Sequence, residues 1–432
     1  MKNFVVETSY PVTFRKKDAK ELGENLKNLH CVVLIGMKRV GINNFLRFFL
    51  YHEDISKIYI DDGKKHLFIP VDFHDLVELE IFPFWTLTLK RIVDAVETSN
   101  LDLKIKKEIE DIFLHTIQFQ DIFLTIDGIR RCLVKIVEAG FLPTLFFDRF
   151  DRIKDVVTPQ FYGNLQGLKD ATNHKLTYVF TSFKKLDDLA PLVFTKTSLS
   201  VFARNMFIKP AENNDMRTIF KVFKKKYDFE LSLKDEKLLF TLVDGYVQYL
   251  HLALILLNEK KKALKNGKLD LFKELTVDER INLQSEELWE NLAKDEKDVL
   301  LKVVNAEKIT KQEKKNAKYL WDMGFVEEGR KNIVFSPLFE YYLKQKEKEI
   351  AVENLEFTKK ENLLFIFLKE KVNEICEREE IVSAVWPEVE AMGVSDWAID
   401  RLVARVRNKL KVQKGGLEVQ TVKTRGFKLL ST

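Results

Sequence analysis

The 432-residue sequence predicts an α/β domain with a parallel sheet of P-loop type, followed by a helical lid and winged-helix domains. Three observations lead there. An apolar stretch at residues 30–35 runs into the glycine loop Gly36-Met37-Lys38-Arg39-Val40-Gly41-Ile42-Asn43-Asn44 and then an apolar helix over 45–50, the strand–loop–helix order of a phosphate-binding loop. Further strands recur at 66–71, 142–147 and 176–180, each apolar and followed by a polar tip, and at 206–209, ending at Pro210. The last residues, 356–432, hold two short amphipathic helices, a longer one and a hairpin, and they carry the positive charge.

Composition supports several folded modules. The chain is too long for one ordinary core. With 46% hydrophobic and 32% charged residues it has ample apolar surface to bury, which argues against extended disorder. Glycine (16) and proline (9) are scarce, which favours long helices; phenylalanine is frequent at 34. The N-terminus has no basic segment followed by a sustained apolar run, and no apolar stretch reaches membrane-spanning length, so the expected location is cytoplasmic with no membrane partner. Cys31, Cys132 and Cys376 are far apart and read as reduced core thiols; the seven histidines show no ligand spacing.

Taking the elements in order, the loop departs from the P-loop pattern at one decisive place. Ile42 and Asn43 stand where Lys and then Ser or Thr are required, so the ammonium that neutralises outer phosphates and the hydroxyl that ligates magnesium are both missing. The expected nucleotide-binding residues are Gly36, Lys38, Arg39, Gly41, Ile42, Asn43 and Asn44, with Lys38 and Arg39 supplying charge from within the loop. The strand over 142–147 ends in Asp148-Arg149-Phe150-Asp151. Asp148 is the expected magnesium ligand, and Asp148 and Asp151 are the candidate catalytic carboxylates, although Arg149 occupies the position where a water-activating Glu often follows. Ser182, at the tip of the next strand, is placed to sense a phosphate.

Residues 1–210 therefore read as a P-loop NTPase-like domain and 211–284 as a helical lid. Residues 285–347 read as a small winged-helix-like domain, with helices over 296–304 and 311–323 and a hairpin over 325–335. This domain is assigned to domain packing rather than to DNA, while Lys311, Lys314, Lys315 and Lys318 on its second helix leave a DNA role open. A charged, helix-prone linker is expected over 344–356.

In the last module, Thr358 and Glu361 form a capping-box pattern before a first helix, and Pro387 ends a second that contains Ile381, Ala384 and Val385. Ser395 caps a third helix running to about residue 411. Ile399, Leu402, Val403, Val406 and Leu410 share its inner stripe; Trp397, Arg401, Ala404, Arg405 and Asn408 share the opposite, exposed one. Arginine reads guanine edges and asparagine adenine, so that face suits a major groove. A hairpin follows, with strands over 418–422 and 427–429 and with Lys423 and Arg425 at its tip. Between Arg401 and Lys428 nine cations face one acid, Glu418; this stretch carries +8 while the rest of the chain, from a total of +5, carries −3.

Two resemblances follow from these residues. Glu379-Glu380-Ile381 with Val385-Trp386, then Ile399-Asp400, Arg405-Val406-Arg407-Asn408-Lys409-Leu410 and Val419-Gln420-Thr421-Val422-Lys423-Thr424-Arg425-Gly426-Phe427-Lys428-Leu429 resemble the effector domain of OmpR/PhoB-type transcriptional regulators, a winged helix-turn-helix. The resemblance implies double-stranded DNA as partner, with Arg401 and Arg405 facing bases and Arg407, Thr421 and Lys423 facing backbone. Phe14-Arg15, the glycine loop, Asp148-Arg149-Phe150-Asp151, Thr181-Ser182 and Val243-Asp244-Gly245-Tyr246 resemble, more loosely, the STAND branch of the AAA+-related ATPases. That likeness implies ATP or ADP with Mg as cofactor, a nucleotide-dependent switch and self-association; the degenerate Walker A sequence implies little hydrolysis. The function expected is DNA-binding transcription regulation. The alternatives are an active AAA+-like ATPase that remodels or loads DNA-bound assemblies, and an interaction scaffold that does not bind DNA.

Overall fold

A computed structural model describes residues 5–227, 229–265, 269–329, 331–351, 357–387, 393–413, 417–422 and 425–431. The chain forms two compact units. One comprises Met1–Lys226 with Asp244–Gln248 and Asp322–Gly324; the other comprises Tyr227–Val243, Tyr249–Trp321 and Phe325–Thr432.

The first unit is built on five parallel strands: β1 (Cys31–Ile35), β2 (Lys65–Asp72), β3 (Phe141–Asp148), β4 (Thr177–Ser182) and β5 (Ala203–Phe207). They lie in the order β2-β3-β4-β1-β5. Every residue of β1, β3 and β4 is buried, as expected of strands covered on both faces. Four strands coincide closely with the apolar runs in the sequence. The fifth begins at Ala203 rather than at 206, because it pairs only with β1 and leaves Arg204 and Asn205 exposed.

Around the sheet stand α1 (Lys16–Lys27), α2 (Ile42–Tyr51), α3 (Ile81–Thr98), α4 (Leu103–Ile117), α5 (Ile122–Glu138), α6 (Pro159–Ala171) and α7 (Asn213–Lys224). The α3–α5 insertion between β2 and β3 has no counterpart among the elements read from the sequence. Much of the phenylalanine excess is spent beneath it. Phe73, Phe84, Phe147, Phe150, Phe161 and Phe180 form a continuous chain of ring contacts with centroids 5.1–6.2 Å apart.

The second unit is helical up to the small hairpin β6 (Val326–Glu327) and β7 (Ile333–Val334). The helix expected over 311–323 is broken at Ala317 into Lys311–Asn316 and Lys318–Met323. A helix over Pro337–Ala351 covers most of the expected linker; residues 352–356 lie outside the described residues. Within this unit α8 (Glu279–Glu290) is capped by the Asp278 carboxylate, which accepts from the N–H groups of Arg280 (2.9 Å) and Ile281 (3.2 Å).

The C-terminal module contains α9 (Lys359–Glu370), β8 (Ile375–Cys376), α10 (Arg378–Val385), α11 (Asp396–Gln413), β9 (Leu417–Val422) and β10 (Gly426–Ser431). The capping box is present: Thr358 N–H donates to Glu361 Oε2 (2.8 Å) and Glu361 N–H to Thr358 Oγ1 (3.4 Å). The strands form an antiparallel sheet ordered β8-β10-β9. Leu364, Leu368, Ile381, Trp386, Leu402, Val406, Val419 and Phe427 fill one core, so the inner stripe of α11 is buried as expected. All three cysteines are free and buried.

Candidate nucleic-acid interface and glycine-loop site

In the first unit the glycine loop connects β1 to α2 at the carboxyl end of the sheet, where parallel sheets place their ligands. Backbone crowding requires the first glycine and a left-handed backbone the second. A Cβ on Gly36 would lie 2.7 Å from the Ile208 carbonyl oxygen; Gly41 has φ +108°, and a Cβ there would lie 2.8 Å from Val247 Cγ2. The positive end of the α2 dipole is thereby directed at the loop. Lys38 lies with its ammonium 4.9 Å from the Phe183 ring, and its carbonyl accepts from the Tyr246 hydroxyl (2.6 Å). Arg39 is exposed, Ile42 and Asn43 are half-buried, and Asn44 donates to Glu7 (3.2 Å). Beside Asn44 is a cleft of about 250 Å³ lined by Val6, Glu7, Arg47, Val222, Phe223 and Lys226.

A cation that the sequence analysis did not place among the site residues lies under this loop. Arg15 is 5% exposed and adopts φ 44°; its N–H donates to Asp215 (2.9 Å), and its Nη1 donates to Asp18 (3.0 Å) and the Lys209 carbonyl (3.1 Å). Its Nε and Nη2 are buried without a hydrogen-bond partner among the described residues, and Nη2 lies 3.8 Å from where a Gly41 Cβ would stand.

The strand tips bring the acidic candidates together. Asp72 and Asp148 are register partners at the ends of β2 and β3. Arg149 bridges them: it pairs with Asp72 and lies 3.4 Å from Asp148 Oδ2. Thr181 donates to Asp148 Oδ1 (2.6 Å) and accepts the Arg149 N–H (2.7 Å). Burial pushes the Asp148 carboxyl above its usual pKa, partly offset by the Arg149 charge and the Thr181 hydrogen bond. Burial also raises that of Asp151, opposed in part by the Lys38 charge. Ser182 is buried, and its hydroxyl accepts from the Lys184 N–H (3.2 Å).

These residues do not fit a P-loop magnesium site. Position 43 lacks the hydroxyl, and both Asp148 oxygens already face donors on the protein. Among the described residues, no group of three or more His, Cys, Asp or Glu side chains is arranged to hold a metal ion.

In the second unit α11 presents the face opposite its buried stripe. Trp397 is half-buried at the edge of the core, and Asn408 and Arg425 are exposed. Arg407 donates from Nε to the Val419 carbonyl (2.7 Å) and from Nη2 to Thr421 Oγ1 (2.9 Å), fastening β9 to α11. Lys423 lies outside the described residues.

Arg401 and Arg405 correct an expectation. They do not stand free: Arg401 pairs with Glu290 (2.7 Å), and Arg405 pairs with Glu286 and lies 3.4 Å from Glu361. The cause is α8, whose carboxylates lie opposite them.

Residues 352–429 match the family described as "Transcriptional regulatory protein, C terminal". This segment is a transcriptional-regulator C-terminal domain. No match is found among curated proteins. Solved structures similar to the chain include a Walker-type ATPase of Pyrococcus abyssi, with 15% identity over 76% of this chain and 95% of that one and a TM-score of 0.46. The ORC2 protein of Aeropyrum pernix has 11% identity over 78% and 95% and a TM-score of 0.45. The RuvB Holliday junction branch migration motor of Thermotoga maritima has 11% identity over 79% and 95% and a TM-score of 0.35. Superpositions this loose say nothing about chemistry in this chain. No helix among the described residues is long and apolar enough to cross a membrane.

The regulator domain's own contacts had a partial signal in the sequence. Thr421 and Arg407 both belong to its motif, but their mutual bond appears only when β9 folds back along α11. In the first unit, Arg15 was visible only as half of the Phe14-Arg15 pair. Its backbone is left-handed, its N–H reaches Asp215 two hundred residues later, and its buried side chain is held by Asp18 and the Lys209 carbonyl, contacts that no local pattern marks.

Proposed function

We propose that the chain is a DNA-binding transcriptional regulator in which α11 enters a major groove and the β9–β10 wing contacts the adjacent backbone. Arg401, Arg405, Trp397 and Asn408 form the groove face; Arg407, Thr421, Lys423 and Arg425 contact the phosphates. The single observation that carries this reading is the geometry of α11: one stripe sealed in a core, the other cationic, and the wing fixed to it through Arg407. Selection from a randomised duplex pool with the full chain tests it. The expected result is enrichment of a short motif, and a pool left without sequence preference counts against it.

The glycine-loop unit is the nucleotide-responsive half. Gly36, Lys38, Arg39, Gly41, Ile42, Asn43 and Asn44 surround the phosphates of ATP or ADP, with Ser182 at their outer edge. The cleft beside Asn44 offers Val6, Val222 and Phe223 to the face of a base and Glu7, Arg47 and Lys226 to its polar edge. Arg15, whose buried Nη2 has no hydrogen-bond partner among the described residues and lies beside Gly41, offers the cation that Ile42 does not. Hydrolysis is slow in this reading, since Asp148 and Asp151 work beside Arg149 rather than beside a water-activating glutamate. Self-association completes the proposed switch.

A further inference from the structure

The DNA-reading face of α11 is covered by α8, and the covering contacts have the chemistry of a nucleic-acid backbone. On α8, Glu279, Leu283, Glu286 and Glu290 fall on one helical stripe, four, three and four residues apart. Each meets the C-terminal module: Glu279 pairs with Lys360 of α9, Leu283 packs against the core cluster, Glu286 pairs with Arg405, and Glu290 with Arg401 at 2.7 Å. The two acids facing α11 stand about 6 Å apart along the helix axis, since each residue rises about 1.5 Å. Arg401 and Arg405 have the same separation and pair in the reverse order, so the two helices run antiparallel there.

We infer that α8 is a built-in competitor for duplex DNA: its Glu286 and Glu290 carboxylates occupy the guanidinium groups of Arg401 and Arg405 and hold the regulator in a closed form. This rests on the DNA-binding reading above. A groove cannot accept α11 while α8 lies on the same side chains. The closed form is strong enough to be populated, because the side chains of Glu286 and Glu290 are only 10% and 13% exposed and their pairs are poorly screened by salt. It is also releasable. Arg401 Nε is buried without a hydrogen-bond partner among the described residues, so that guanidinium is only partly satisfied, and Arg405 Nε lies 3.4 Å from Glu361 Oε1, a contact inside the C-terminal module that does not depend on α8. Lys409 pairs with Glu361 (2.7 Å), within the C-terminal module itself, and stays paired when α8 leaves.

The apparent affinity of a protein that must open before binding is its intrinsic affinity reduced by the open fraction. Glu286→Gln with Glu290→Gln in the full chain therefore raises duplex affinity, and about tenfold is expected for a form that is closed nine-tenths of the time. An equal or lower affinity than wild type overturns the inference. A second measurement is independent of DNA: a double-mutant cycle of Glu286→Gln and Arg405→Gln on the unfolding equilibrium, where a coupling of at least about threefold is expected for a formed pair. Strict additivity overturns the α8–α11 contact whatever the DNA result. Absence of duplex binding in wild type and variant alike, with the coupling intact, sinks the DNA reading and the competitor role together while leaving the contact itself standing.

Discussion

Gly426 is the position where a single methyl group should do most damage to the DNA-binding module. It opens β10 with φ +139°, and a Cβ there would lie 2.1 Å from the Cys376 carbonyl oxygen and 3.0 Å from its carbonyl carbon. Both are backbone atoms of the neighbouring β8, so no side-chain movement relieves the overlap. Two costs add in Gly426→Ala. Holding a non-glycine residue in that conformation costs about 1–3 kcal/mol. Parting the strands weakens the pairing of Phe427 with Cys376 and Lys428 with Ile375, at about 0.5–1.5 kcal/mol per hydrogen bond. The sum is roughly 2–6 kcal/mol, against a total of about 4–11 kcal/mol for a module of this size at the usual stability per residue. Thermal unfolding of the full chain, followed by hydrogen exchange at β10, should show the transition of this module at least about 8 °C lower, since each kcal/mol moves a domain this small by about 4–8 °C. An unchanged midpoint and unchanged exchange at β10 would refute the argument, because no rotamer change can absorb the contact.

Arg405→Ala should lose about 1–3 kcal/mol of discrimination between the selected motif and a single-base variant of it; equal discrimination in a competition titration removes Arg405 from base readout. Restoring the loop with Ile42→Lys and Asn43→Thr should raise steady-state ATP turnover above a near-background wild type, and a wild type already as fast as the restored form contradicts the hydrolysis-deficient reading. Burial works against ionisation of Glu361, yet the hydrogen bonds from Lys409 and the Thr358 N–H and the charge of Arg405 together hold its pKa below the usual glutamate value. Its contribution to stability is therefore complete above the unfolded value near about 4.3 and disappears as pH falls through the lower folded value. The stability difference between wild type and Glu361→Gln should shrink across that acid window when both are unfolded in denaturant, and a difference independent of pH would exclude the ionised contact.

Local patterns announced local structure. β1 to β4 were visible because continuous apolar runs ended in polar residues, and α11 because apolar and cationic residues separate at helical spacing. β5 was misplaced by three residues because an edge strand with one neighbour has no need of a continuous apolar run. β8, only two residues long, gave no pattern at all. The α3–α5 insertion went unread because no glycine loop or strand tip sets its limits. The site contacts were hidden for a different reason. Arg149 and Asp72 are separated by 77 positions, and Arg405 and Glu286 by 119. The same arginines that read as a free DNA face are spent on α8 because an acidic stripe far upstream packs against them. Likewise, the substitution at Ile42 is plain in the sequence, whereas the place of Arg15 under the loop involves Lys209 and Asp215, about two hundred positions away.

The central claim is that a cationic helix face and its wing hold duplex DNA. Its most direct test is the equilibrium affinity of the full chain for the selected duplex across a series of salt concentrations. With the three phosphate-facing cations Arg407, Lys423 and Arg425, the logarithm of affinity should fall with the logarithm of salt at a slope of about −2.7, and, in a Glu286→Gln, Glu290→Gln background where release of α8 cannot offset the loss, Arg401→Ala with Arg405→Ala should bind more weakly at every salt. A flat salt dependence, or affinity unchanged in that double variant, would contradict it.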